Sequence, residues 1–81
     1  MLIKVVPAIG PEQPYEMEVD PDESVGSLKK RVAKQCGVPE SALTLTCRGI
    51  ELQDDNSTLG SIGIQEGDKI FYVSSDIEGG F

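Results

Sequence analysis

Histidine is missing altogether from this 81-residue chain. Its absence removes the usual general base near neutral pH and the commonest metal ligand. An enzyme built on this sequence would have to work with carboxylates or thiols alone. The two cysteines, Cys36 and Cys47, form no Cys-x-x-Cys pair and have no histidine to complete a zinc site, so no metal ligands are predicted. Both are read as small core residues with free thiols rather than as a disulfide. Long apolar runs are lacking too: nothing approaches the stretch of about 18 residues that a membrane span needs. The N-terminus has no basic region followed by a small-residue cleavage site, so no secretory signal is expected. The expectation is a cytoplasmic protein without a membrane partner. Basic residues are scarce, 7 against 14 acidic ones, for a formal net charge of -7. A phosphate backbone is bound by neutralising it with Lys and Arg, which argues against nucleic acid as a partner. A chain this short makes one small domain and cannot house a large active-site cleft.

What the chain does contain is alternation. Leu2 to Val6 is rich in β-branched residues and sets Ile3 and Val5 on one face of a strand. Pro7 to Pro14 holds three prolines and a glycine and reads as a loop. Tyr15 to Val19 alternates apolar with acidic, turning Tyr15, Met17 and Val19 inward and Glu16 and Glu18 to water. After the break at Asp20 to Glu23, Ser24 precedes an apolar stripe of Val25, Leu28, Val32 and Cys36 at helical spacing. Gly37, with Pro39 beyond, marks the helix end, and Gly26 in the first turn is its weak point. The helix carries Lys29, Lys30, Arg31 and Lys34, four of the seven basic residues. That makes the charge lopsided, although a solvated helix face accounts for it.

Glu40 to Ala42 reads as a short turn. Leu43 to Arg48 then alternates again and points Leu43, Leu45 and Cys47 inward. Ile50 to Leu52 is a short strand, Gln53 to Ser57 an exposed loop, and Thr58 to Ile64 a turn that buries Leu59 and Ile64. The last strand, Lys69 to Val73, sets Ile70 and Tyr72 on one face and Phe71 and Val73 on the other. The order predicts an α+β domain over residues 1–75, a mixed sheet covered by one main helix, with the first strand beside the last. Its predicted core is Ile3, Val5, Met17, Val19, Val25, Leu28, Val32, Val38, Leu45, Leu52, Leu59, Ile64, Ile70 and Tyr72.

Residues 76–81, Asp76-Ile77-Glu78-Gly79-Gly80-Phe81, read as a mobile tail, because paired glycines lose the most freedom on ordering and pack no side chain. With that tail, the chain resembles the ubiquitin family along nearly its whole length. The matching pieces are Met1-Leu2-Ile3-Lys4-Val5, Glu18-Val19-Asp20-Pro21, Val25-x-x-Leu28-Lys29, Gly37-Val38-Pro39 and Arg48-Gly49-x-x-Leu52. Thr58-Leu59, Gly63-Ile64-x-Glu66-Gly67-Asp68 and Gly79-Gly80 complete the set. Ile3-Lys4-Val5-Val6-Pro7-Ala8, Gly67-Asp68-Lys69 and the residue after Gly80 are similar to the ubiquitin-like precursors of archaea.

The resemblance implies a β-grasp fold and a protein modifier that is not itself an enzyme and binds no cofactor. An activating enzyme would use ATP to adenylate the Gly80 carboxylate and pass it to a thiol. A conjugating enzyme, with a RING-type ligase, would then deliver it to a lysine of a substrate protein, and the proteasome is a further implied partner. Phe81 ties up the Gly80 carbonyl in an amide, so a zinc metalloprotease of the proteasome-lid type is expected to cut after Gly80. Glycine at 79 and 80 leaves the backbone narrow and the carbonyl open to attack. Asp76, Ile77 and Glu78 stand where ubiquitin's tail is basic, which implies a cognate enzyme with a basic channel. Ubiquitin's aliphatic recognition patch corresponds most nearly to Ile9, Thr46 and Val73, with Phe71 beside them. Lys4, Lys29, Lys30, Lys34 and Lys69 are the candidate chain acceptors. A sulfur carrier that ends in a thiocarboxylate and a noncovalent ubiquitin-like adaptor share the fold and stay open as alternatives.

Overall fold

Alternating strands with one buried face need a helix to cover that face, and the chain supplies one between its first hairpin and the rest of the sheet. The computed structural model describes residues 1–10 and 12–74. Strand β1 spans Leu2–Pro7, β2 Tyr15–Glu18, helix α1 Val25–Cys36, β3 Leu43–Cys47, β4 Ile50–Glu51 and β5 Lys69–Ser74, with a short 3-10 turn at Glu40–Ala42. The sheet order is β2-β1-β5-β3-β4. β1 and β5 run parallel, with Val5 opposite Ile70 and Val6 opposite Phe71. The other pairs are antiparallel. This is the expected β-grasp arrangement, in which the first and last strands lie together at the centre.

Helix α1 begins and ends where its sequence signals stand. The Ser24 side chain accepts a hydrogen bond from the Ser27 amide, and Gly37 adopts φ 75°, the left-handed geometry that glycine takes without strain. The start is also tied to the segment before the last loop. Val25 and Gly26 amides donate to the carbonyls of Ser57 and Asp55, while Leu59 and Gly60 amides donate to those of Glu23 and Pro21. Gly26 is therefore more than a weak point. A Cβ there would stand 3.2 Å from both the Cβ and the carbonyl oxygen of Asp55, so glycine is what lets the loop approach.

The core lies between α1 and the inner face of the sheet. Ile3, Val5, Leu28, Val32, Leu45, Leu59 and Ile70 are at most 1% exposed. Two predicted members, Met17 and Val38, are half-buried instead and pack against the core from its margin. Met17 sits on an edge strand and Val38 just past the helix end, where neither is covered on all sides. Ala33, Leu43 and Cys47 complete the buried set. The basic helix face is less lopsided than its sequence suggests. Lys29 pairs with Asp55 at 3.1 Å and Arg31 with Glu23 at 2.8 Å, while Lys30 and Lys34 make no ion pair among the described residues.

Candidate functional site

Two surfaces meet near the end of β5. The first is the outer face of the sheet. Period-two alternation sends Ile70 and Tyr72 into the core and leaves Phe71 and Val73 outside, 38% and 36% exposed. The register places Thr46 directly opposite Phe71 on one flank and Val6 on the other, with Thr44 opposite Val73. Ile9, in the loop after β1, is 72% exposed and shares a cleft wall with Val73. The structure thus brings together all four predicted patch residues, Ile9, Thr46, Phe71 and Val73, in one strip. Half-buried Thr46 makes its β3 flank polar.

The second surface is that cleft, of about 530 Å³, which opens where the β1–β2 loop, the C-terminal end of α1 and the end of β5 come together. Tyr15, Cys36 and Tyr72 form its inner lining, and Ile9, Val38 and Val73 contribute further apolar surface. Burial, reinforced by a hydrogen bond with Cys36, pushes the Tyr72 phenol up to about 12. Burial also raises Tyr15. The Tyr15 hydroxyl is shut off from solvent and has no hydrogen-bond partner, a condition that costs roughly 1–3 kcal/mol. This cleft had no signal in the sequence, because it depends on three segments that end at the same place. Ile50, 67% exposed on edge strand β4, lines a smaller cleft of about 340 Å³ with Arg48, Leu52 and Ile62. Alternation would set Ile50 on the same face as Leu52, but β4 ends at Glu51 and only Leu52, beyond the strand, is buried.

The two thiols are free, and burial raises that of Cys47 away from the reactive thiolate. No group of three or more His, Cys, Asp or Glu residues that could hold a metal occurs among the described residues. No helix among them is long and apolar enough to cross a membrane.

The predicted acceptor lysines differ in setting. Lys4, Lys30, Lys34 and Lys69 are exposed, and Lys4 lies between Glu16 on β2 and Lys69 on β5. Lys29 has a side chain 18% exposed and held by Asp55, which makes its amine the least available. The predicted conjugation and processing residues, Asp76, Ile77, Glu78, Gly79, Gly80 and Phe81, lie outside the described residues.

Comparisons with known proteins agree on one lineage. A family model described as the ubiquitin family matches residues 3–76. Ubiquitin-like protein 1 of Schizosaccharomyces pombe is 37% identical over 57 residues, 70% of each chain. The solved structure of Caldiarchaeum subterraneum ubiquitin superposes with a TM-score of 0.89 at 37% identity and covers 98% of both chains. A ubiquitin-like domain from Arabidopsis thaliana superposes with a TM-score of 0.83 at 31% identity, over 95% of this chain and 79% of that one.

Proposed function

The chain belongs to the ubiquitin family, and from that membership we infer that it is the precursor of a protein modifier conjugated through Gly80. The observation that carries this reading is the Gly79-Gly80 pair, which follows the end of β5 at Ser74 by five and six residues in a chain of this family. Glycine at both positions leaves the backbone without Cβ atoms where an enzyme must close around it and a nucleophile must approach the carbonyl.

In this reading the amide to Phe81 keeps the Gly80 carbonyl unreactive until a metalloprotease hydrolyses it, which frees the Gly80 carboxylate. An activating enzyme then uses ATP to form the acyl adenylate, releasing pyrophosphate, and a cysteine thiol displaces AMP to give a thioester. A conjugating enzyme, with a ligase, transfers the acyl group to a substrate lysine amine and frees the thiol. The protein itself contributes the electrophile and the grip, in a cytoplasmic setting. Asp76 and Glu78 direct it to an activating enzyme with a basic channel. The strip around Phe71 and Val73 is the surface by which partners hold the folded body.

The test begins with the full chain and the metalloprotease. Release of free phenylalanine, followed by thioester formation on the activating enzyme by the trimmed chain alone, is the expected result. An untrimmed chain that charges the enzyme equally well would overturn the precursor reading.

A further inference from the structure

We propose that when one copy of this chain is joined to another, the acceptor is Lys34, with Lys30 one turn before it holding Glu78 of the incoming tail. The proposal rests on conjugation through Gly80. The lysines sort by setting. The Lys29 amine is engaged by Asp55 at 3.1 Å, with its side chain 18% exposed. Lys4 and Lys69 stand opposite each other on the outer face of the sheet. Two carboxylates without an ion pair among the described residues flank them: Glu16, opposite Lys4 on β2, and Glu66, which accepts from the Leu2 amide. A tail that brings Asp76 and Glu78 is repelled there. Lys30 and Lys34 lie on the side of α1 away from its buried Val25, Leu28 and Val32, exposed and in no ion pair among the described residues. The carboxylates tied to α1, Glu23 and Asp55, are already paired with Arg31 and Lys29. Two uncompensated cations therefore stand together on a chain of formal net charge -7.

Spacing matches the two partners. Residues four apart on a helix are separated by about 6 Å along its axis. Alternate residues of an extended segment stand on one side of it, about 6.6 Å apart. With Glu78 against the Lys30 amine, the Gly80 carbonyl of an extended tail comes level with Lys34. The polarity of α1 decides which of the two lysines reacts. A tail laid in the direction of the helix leaves Asp76 at its N-terminal end, where the dipole favours a carboxylate. The reverse course would make Lys30 the acceptor and put Asp76 at the C-terminal end, which repels it. The Lys34 amine then attacks the Gly80 carbonyl of the thioester on the conjugating enzyme. The C–N bond forms as the C–S bond breaks, and the proton lost by nitrogen goes to the departing thiolate.

The test dispenses with the enzymes. The full chain is incubated with an N-acetylated Asp-Ile-Glu-Gly-Gly peptide made as an aryl thioester, and the acylated lysines are located and timed by mass spectrometry. Lys34 should react about two- to fivefold faster than Lys4 or Lys69. That preference should disappear with a Lys-Ile-Lys-Gly-Gly thioester, and in about 1 M salt. Lys30→Gln should slow acylation at Lys34 about two- to fivefold and leave Lys4 and Lys69 unchanged. The proposal is overturned if Lys4, Lys69 or Lys30 reacts as fast as Lys34, or if the charge-reversed peptide shows the same preference. An unchanged rate at Lys34 in Lys30→Gln would also overturn it. No protease or activating enzyme takes part, so a failure of the precursor reading would show in its own assay and not in this one.

Discussion

The two ends of helix α1 are built on opposite plans. At the N-terminal end the polar groups near the surface are tied down. Ser24 caps the helix, and Glu23 accepts from the Ser27 hydroxyl and from Arg31, whose other nitrogen reaches the carbonyl of Glu18. Four backbone hydrogen bonds join this end to residues 55–60. At the C-terminal end Gly37 closes the helix, but beyond it lies a cleft with two neutral phenols, one of them unpartnered. One end is sealed by short-range polar contacts, and the other keeps apolar surface open next to the strand that leads into the tail. A small domain has little stability to spare, so the sealed end should contribute more to it than the open end does.

The largest test of that contrast sets Leu28→Ala against Val38→Ala. Leu28 is 0% exposed beneath the sealed half, and its truncation should cost about 2–5 kcal/mol in urea unfolding. Val38, half-buried at the open end, should lose less than half as much; equal losses would break the contrast. A smaller effect is expected at Gly26→Ala. Helix propensity alone favours alanine by roughly 0.5–1 kcal/mol, whereas crowding in a packed site costs about 1–3 kcal/mol. With Asp55 at 3.2 Å, the net expectation is a loss on the order of 1 kcal/mol. A stabilised variant would mean that the loop at Asp55 yields easily.

The smallest effect is alkaline. Tyr15 and Tyr72 are both raised above the ordinary phenol value, so folding favours their protonated forms. Their contribution is complete below about pH 10, and that of Tyr72 is lost as pH rises toward about 12. Absorbance titration should show both phenols ionising late, with stability falling over the same range and the open end loosening first by hydrogen exchange. Phenols that titrate at the ordinary value would mean the cleft is wetter than its burial implies.

The sealed end was largely legible in the sequence, and the open end was not. Ser24, the stripe from Val25, and Gly37 are local signals read over a few residues, and strands β3 and β5 alternate cleanly because one face is buried. The same logic points Met17 and Val38 to the core, but periodicity tells which face a residue takes and not whether the sheet or helix extends far enough to cover it. Ala33 escapes that logic because it lies beside the stripe rather than in it. Gly26 looked like a local cost because the residue it makes room for, Asp55, is 29 positions away. The patch of Ile9, Thr46, Phe71 and Val73 is suggested by family resemblance alone, since exposure does not distinguish a docking face from an ordinary strand.

Strand β5 also has a mechanical meaning. It is gripped on both flanks, by β1 running with it and by β3 running against it. A force drawn along it from residue 74 meets hydrogen bonds that lie across the line of pull and must fail together, rather than opening one after another like a zipper. The strand that leads to the tail is therefore also the one best placed to bear tension, and a load hung there tests the whole sheet at once.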